Sequence, residues 1–234
     1  MHEAIEALSD TRREIMLHIK HRGGSTIADL AAHLGISDEG TRQHLIHLER
    51  HGWIVRRDAR DSTGRSGRPA SLYTVSEAGE ALFPKCYEKL AVALVDAVRE
   101  LYGPGAVEAA LTRVSDAKVS VWEPRVAGKS LAERVEILKN FYCEGDPFAS
   151  VHTNGSVSIV QRNCPYLNVA MSQSALCSTT VSIFSRLLGY EVRRRRTFQH
   201  GDGCCEFELC MDRPVDTARF HFALETEAPP ADKS

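Results

Sequence analysis

The sequence predicts an α+β chain of two units joined by a long helix, and three observations carry that expectation. Between residues 10 and 51 apolar side chains recur with the 3.6-residue period of helices, and two short alternating runs follow. Tyr87, Ala91, Leu94, Val98 and Leu101 then keep alternating steps of four and three residues. Past Gly103-Pro104-Gly105 a helical pattern gives way to strand, strand, helix, strand, strand. The expected units are 1–83, a linking and dimerisation helix at 84–104, a two-layer α/β domain at 105–225 and a disordered tail at 226–234. A chain of 234 residues, 43% hydrophobic and 26% charged, has the composition of a globular protein with two modest cores.

Residues 3–20 read as a helix in two pieces, with Ser9 or Asp10 as cap and Arg12, Ile15, Met16 and Ile19 at helical spacing. In the next helix Ile27, Leu30, Ala31 and Leu34 form one buried stripe behind Ser25 or Thr26, and Gly35 supplies the left-handed residue that ends it. Ser37 caps a further helix in which Thr41, Leu45 and Leu48 face inward. Glu39, Gly40, Arg42, Gln43 and His47 fall on the outer side, at the N-terminal end where a recognition helix reads bases. Arginine grips guanine and glutamine grips adenine in the major groove, so Arg42 and Gln43 are the leading base contacts. A helical hairpin with a solvated polar face would show the same pattern.

The following stretch favours DNA. Trp53–Arg57 and Ser71–Val75 read as two strands flanking a Gly/Arg-rich loop with Arg60, Arg65 and Arg68. Between Gly40 and Ala70 seven arginines face three acids, whereas the whole chain carries a net −2. Positive charge is thus concentrated where phosphates would lie. Three helices and an arginine-rich hairpin together describe a winged helix-turn-helix that contacts double-stranded DNA through Ser37, Glu39, Arg42, Gln43, His47, Arg60, Arg65 and Arg68. His44, His47 and His51 share a helical face, but no carboxylate or cysteine completes a zinc set around them.

Ser76 caps a short turn, and Pro84 opens a helix reaching Tyr102 whose heptad stripe, Tyr87, Ala91, Leu94, Val98 and Leu101, suits pairing with a second copy. In the second unit a helix runs through Glu108 and Leu111, a less readable stretch extends to Gly128, and a helix capped at Ser130 turns Leu131, Val135, Leu138 and Phe141 inward. Phe148–His152 and Ser156–Arg162 flank Asn154-Gly155, a two-residue hairpin signal. Ser174–Leu188 reads as a helix closed by Gly189, and Tyr190–Gln199 with Cys204–Met211 as a second hairpin.

No apolar run reaches the length of a membrane span and the N-terminus lacks a signal-peptide pattern, so a cytoplasmic protein without a membrane partner is expected. Seven cysteines then read as thiols or metal ligands. Cys177 shares a face with Val181, Phe184 and Leu188, Cys205 shares the inward side of its strand with Phe207 and Leu209, and Cys164 sits on a loop beside Pro165. Cys204 and Cys210 fall on the outward side, and Cys86 and Cys143 lie apart as structural residues. Three thiolates from loop, helix and strand can hold an iron–sulfur cluster or a soft metal, and buried cysteines can equally only pack. Arg193–Arg196 reads as a solvated sheet edge.

The GRPASLYTVSEAG segment followed by LFP resembles the DeoR/ArsR-like winged-helix regulators. Asn163-Cys164-Pro165-Tyr166, the C-x12-C step to Cys177, the C-x27-C step to Cys205 and the GDGCCEF turn resemble the SufR-type iron–sulfur-dependent repressors, over residues 5–212. The resemblance implies a homodimer that represses iron–sulfur cluster assembly genes when a [4Fe–4S] cluster is bound, with Cys164, Cys177 and Cys205 as ligands. Some members have a further cysteine between the last two, whereas this chain has none from Ser178 to Gly203. The fourth iron would then take Cys204, Asp202, His200, a partner residue or solvent, with strand parity against Cys204. Three rivals keep the chain but change its chemistry: bare-thiol oxidant sensing through Cys204 and Cys205, a small-molecule pocket, and a cysteine-dependent enzyme. The last lacks a triad partner for His152, its best base.

Overall fold

The computed structural model describes residues 3–58, 71–153 and 155–225, and the chain divides into two compact units, Met1–Cys86 and Tyr87–Ser234. The long helix therefore groups with the C-terminal unit, and the division falls after Cys86 and not at the Gly103-Pro104-Gly105 break that the sequence predicts. Arg60, Arg65, Arg68, Asn154 and the tail 226–234 lie outside the described residues.

In the N-terminal unit α1 (Glu3–Glu6), α2 (Asp10–Arg22), α3 (Ile27–Leu34) and α4 (Asp38–Arg50) precede β1 (Ile54–Asp58), β2 (Ser71–Val75) and α5 (Glu77–Glu80). Thr26 and Asp29 form a reciprocal capping box at the start of α3, and Gly35 ends it in the left-handed conformation with φ 67°. Ile15, Met16, Ile19, Leu30, Leu45, Leu48, Ile54 and Tyr73 build the core. The strands pair antiparallel from Ile54↔Val75 to Asp58↔Ser71. Ser25 extends this ribbon by exchanging backbone hydrogen bonds with Tyr73 at 2.9 and 3.0 Å, which ties the entry of α3 to the hairpin.

The C-terminal unit contains α6 (Tyr87–Tyr102), α7 (Pro104–Val126), α8 (Leu131–Lys139), β3 (Ala149–His152), β4 (Ser158–Gln161), α9 (Leu167–Ser172), α10 (Cys177–Leu188), β5 (Tyr190–Arg196) and β6 (Cys205–Pro214). The helix expected through Glu108 and Leu111 continues across the less readable stretch as the single helix α7, as far as Val126. Its buried stripe includes Ser115, fully buried and bonded to Ser182 at 2.9 Å, so hydropathy alone does not trace it. A capping box of Ser130 and Glu133 opens α8 as expected. The four strands form an antiparallel sheet in the order β3-β4-β6-β5. The β3–β4 pairing stops at His152↔Ser158, short of the Asn154-Gly155 turn expected, while the Val157 carbonyl accepts the Leu209 N–H of β6 at 2.8 Å. Phe141, Ile159, Ile183, Phe184, Val192, Phe207 and Leu209 knit the helices to one face of the sheet. Helix α9 lies between Cys164 and Cys177, where the sequence predicts no element.

Candidate functional site

Two sets of residues bear on function, one in each unit. In the N-terminal unit the Ser37 hydroxyl accepts the Gly40 N–H at 3.1 Å and starts α4, while buried Thr41, Leu45 and Leu48 fix its rotation. Glu39, Arg42 and Gln43 are left exposed. Glu39 holds both expected base contacts: it accepts from Gln43 Nε2 at 2.9 Å, and Arg42 Nε stands 3.5 Å from its other oxygen. His47 is half-buried, not freely outward. Its ring stacks on His51, which stacks on Trp53, at centroid distances of 4.2 and 4.6 Å. Burial first, and the Arg12 charge second, hold the His47 pKa below the usual imidazole value. His18 and His33 lie together with ring centroids 4.1 Å apart, and His33 Nε2 is 2.8 Å from Glu14.

In the C-terminal unit the fold brings together Cys164 from the loop after β4, Cys177 as the first residue of α10 and Cys205 as the first residue of β6. Each sulfur has an N–H donor. The Tyr166 backbone N–H serves Cys164, the Phe198 backbone N–H serves Cys205, and Gln199 Nε2 reaches Cys177 Sγ at 3.2 Å. Burial is the larger effect and pushes the Cys164 and Cys205 thiols up, with the neighbouring sulfurs adding to the rise. Cys164 and Cys205 are therefore thiols in the free protein and would release protons on binding a soft cation. Tyr142 lies beside all three, bonded to Thr180 Oγ1 at 2.7 Å, and burial raises its hydroxyl far above the phenol range.

Arg194 departs from the solvated edge expected of Arg193–Arg196. It faces the trio with only 9% of its side chain exposed, donates to Glu225 from Nε at 2.9 Å and to Gln199 Oε1 from Nη1 at 3.3 Å. Burial opposes its charge, but Glu225 outweighs burial and keeps it protonated. The signal was strand parity: Val192 points into the core, and Arg194 is two residues on. The other arginines of the run behave as an edge, with Arg193 on Glu191 at 2.6 Å and Arg195 on Glu208.

The three fourth-ligand candidates fare differently. His200 is exposed, and Asp202 Oδ2 accepts the Thr197 N–H at 2.8 Å to build the turn. Cys204 is buried at 3% exposure, which corrects the outward orientation expected. It precedes the first residue of β6, and β5–β6 pairing slips between Arg194 and Arg196, so strand alternation does not reach it. Cys86 and Cys143 are exposed and fill no core. Among the described residues no group of three His, Cys, Asp or Glu is placed to hold a single metal ion. A cubane binds each ligand at a different iron, so its cysteines need not converge on one point.

In α6 no residue is buried; Tyr87, Leu94 and Leu101 of the heptad stripe are 72%, 58% and 73% exposed, while Ala91 and Val98 are half-buried. Among the described residues no helix is long and apolar enough to cross a membrane.

Residues 8–55 match the family model described as winged helix-turn-helix DNA-binding. The N-terminal unit thus carries a winged helix-turn-helix of the DNA-binding kind, the module of a transcription regulator. No curated protein matches the chain. Among solved structures, that of Bacillus subtilis PadR in complex with operator DNA is 11% identical and aligns over 74% of this chain and 93% of that one, with a TM-score of 0.25. A likeness that slight carries no argument.

Proposed function

We propose that the chain is a homodimeric transcriptional repressor that binds a palindromic operator in double-stranded DNA under control of a [4Fe–4S] cluster held by Cys164, Cys177 and Cys205, and that it governs genes of iron–sulfur cluster assembly. The observation that carries the cofactor reading is the trio itself: three thiols from separate elements, each with its own N–H donor, beside a buried arginine. N–H donors to sulfur and a nearby cation suit thiolates that bind iron and stabilise the anionic assembly they form. When bound, the cluster supplies sensitivity to oxidants and iron supply. Bare-thiol sensing needs exposed, acidified cysteines, whereas Cys204 and Cys205 are buried and the Cys205 thiol is raised.

Support for the dimer comes from α6, whose stripe of Tyr87, Leu94 and Leu101 lies in water in a single copy. Cys164 and Cys177 bracket α9, which packs against α6, so ligation of both sulfurs reaches the dimer helix through one short segment. A coupling of ~1–3 kcal/mol between cofactor and operator would change affinity roughly 5–150-fold.

The test is iron and acid-labile sulfide per chain on protein purified without oxygen, for wild type and for Cys164→Ser, Cys177→Ser and Cys205→Ser. About four of each in wild type, lost in every variant, supports the reading. A wild-type chain that takes up neither under reconstitution overturns the cofactor. A chain that sediments as a monomer at micromolar concentration overturns the dimer.

A further inference from the structure

The last described stretch, from Val215 to Glu225, runs back along the whole of α10. The Val215 N–H donates to the Gly189 carbonyl at 2.9 Å, at the C-terminal end of that helix. Midway, the Arg186 guanidinium stands 5.9 Å from the Phe220 ring centroid. At the other end the Glu225 N–H donates to Ser178 Oγ at 2.9 Å, one residue beyond Cys177. There the Glu225 carboxylate takes Arg194 with both oxygens, at 2.9 and 2.8 Å. Arg194 also holds Gln199, whose amide donates to Cys177 Sγ. Among the described residues the segment forms no strand and one short turn, at Thr217–Arg219.

We propose that Arg194 is the counter-charge of the three-cysteine pocket, and that Glu225 occupies it in the empty protein and is displaced when an anionic thiolate-bound group enters. The inference rests on the cluster reading and adds the charge that selects the group and the segment that reports it. The chemistry balances: three S–H protons pass to solvent as three sulfur–iron bonds form, with no change of oxidation state. A 2+ core on three thiolates carries one net negative charge. The single buried guanidinium can neutralise that charge or the Glu225 carboxylate, and not both at short range in a site of low polarity. Glu225 is the more exposed of the two partners, 21% against 9%, so it is the one that water can recover. Residues 220–225 therefore lift from α10 when the pocket fills.

The experiment uses the full chain, prepared without oxygen and loaded with iron and sulfide, with loading read first by iron content and visible absorption. Hydrogen exchange of the amides in 215–225 is then compared between empty and loaded protein. Loading should speed exchange at 220–225 by roughly five- to thirtyfold. Glu225→Gln should show the same acceleration while still empty, and Arg194→Gln should load but lose its iron to a chelator faster than wild type. Loaded protein whose 220–225 amides exchange as slowly as those of the empty chain overturns the inference and leaves the cluster reading standing. So does Glu225→Gln with wild-type exchange. A chain that takes up no iron overturns the cluster reading and this inference with it.

Discussion

Replacing Gln173 by leucine tests whether the thiol pocket is mechanically tied to the α6 helix. Gln173 is 6% exposed and lies between α9 and Cys177. Its Nε2 donates to Asp96 Oδ1 at 2.7 Å and its Oε1 accepts from Arg99 Nη2 at 2.7 Å, both on α6. Leucine keeps the volume and removes both bonds. A hydrogen bond to a charged group is worth ~1.5–3 kcal/mol, but Asp96 and Arg99 also pair with each other at 2.8 Å and are each 43% exposed. Water and that pair recover much of the loss, which leaves a net cost of about 1–2 kcal/mol. For a chain of this size that lowers Tm by roughly 2–8 °C. Thermal unfolding of the empty protein reads the packing term. The ratio of operator affinities with and without the cofactor, from fluorescence anisotropy, reads the coupling and should fall towards one. An unchanged Tm would refute the packing argument. An unchanged ratio beside a lowered Tm would show that Gln173 holds α9 without transmitting anything.

Three further outcomes follow from the N-terminal unit. A Cβ on Gly79 would stand 1.9 Å from the Trp53 carbonyl oxygen, a backbone atom that cannot swing aside. Gly79→Ala should therefore cost at least about 2 kcal/mol and open the β1–β2 hairpin to hydrogen exchange, whereas Gly105→Ala, with nothing within 4 Å, should leave Tm unchanged. Burial and neighbouring positive charge lower the pKa of His18 and of His47 in the folded state. The unfolded chain binds more protons than the folded one, so this contribution is complete above the free imidazole value and is lost as pH falls through the lowered ones. Amides of α2 and α4 should exchange faster at about pH 5 than at about pH 7.5 after correction for intrinsic rates, and His18→Gln with His47→Gln should flatten the slope. Glu39→Ala should free Arg42 and Gln43 and remove a negative charge near phosphates. Affinity for a DNA duplex selected by the protein should rise up to about fivefold, the scale of an exposed ion pair, and a fall would show that Glu39 itself reads a base.

Much of the architecture was legible because short-range chemistry dictates it. Thr26 with Asp29, Ser37 and Ser130 with Glu133 start helices wherever they stand, since the orphan N–H groups of a first turn need such acceptors. Gly35 and Gly189 end helices because their left-handed conformation strains any other residue. Alternation also placed Phe207, Leu209 and Cys205 on the buried side of β6. Their places on helix, strand and loop singled out Cys164, Cys177 and Cys205 from the seven cysteines.

What the chain order cannot carry is decided by contacts between distant residues. Helix α7 was legible through Leu111 but not beyond, because its stripe continues with Ser115 against Ser182, a polar pair whose burial only the packed α10 explains. Cys204 turned inward because β6 begins one residue later and its pairing slips beside Arg196, a register set by β5. Arg194 became part of the pocket because Glu225, 31 residues away, holds its charge where burial alone would oppose it. Local backbone chemistry thus determined where the elements begin and end and which cysteines share a side. Only the tertiary structure decided which charges stand beside them, since a buried ion pair depends on partners that no local pattern names.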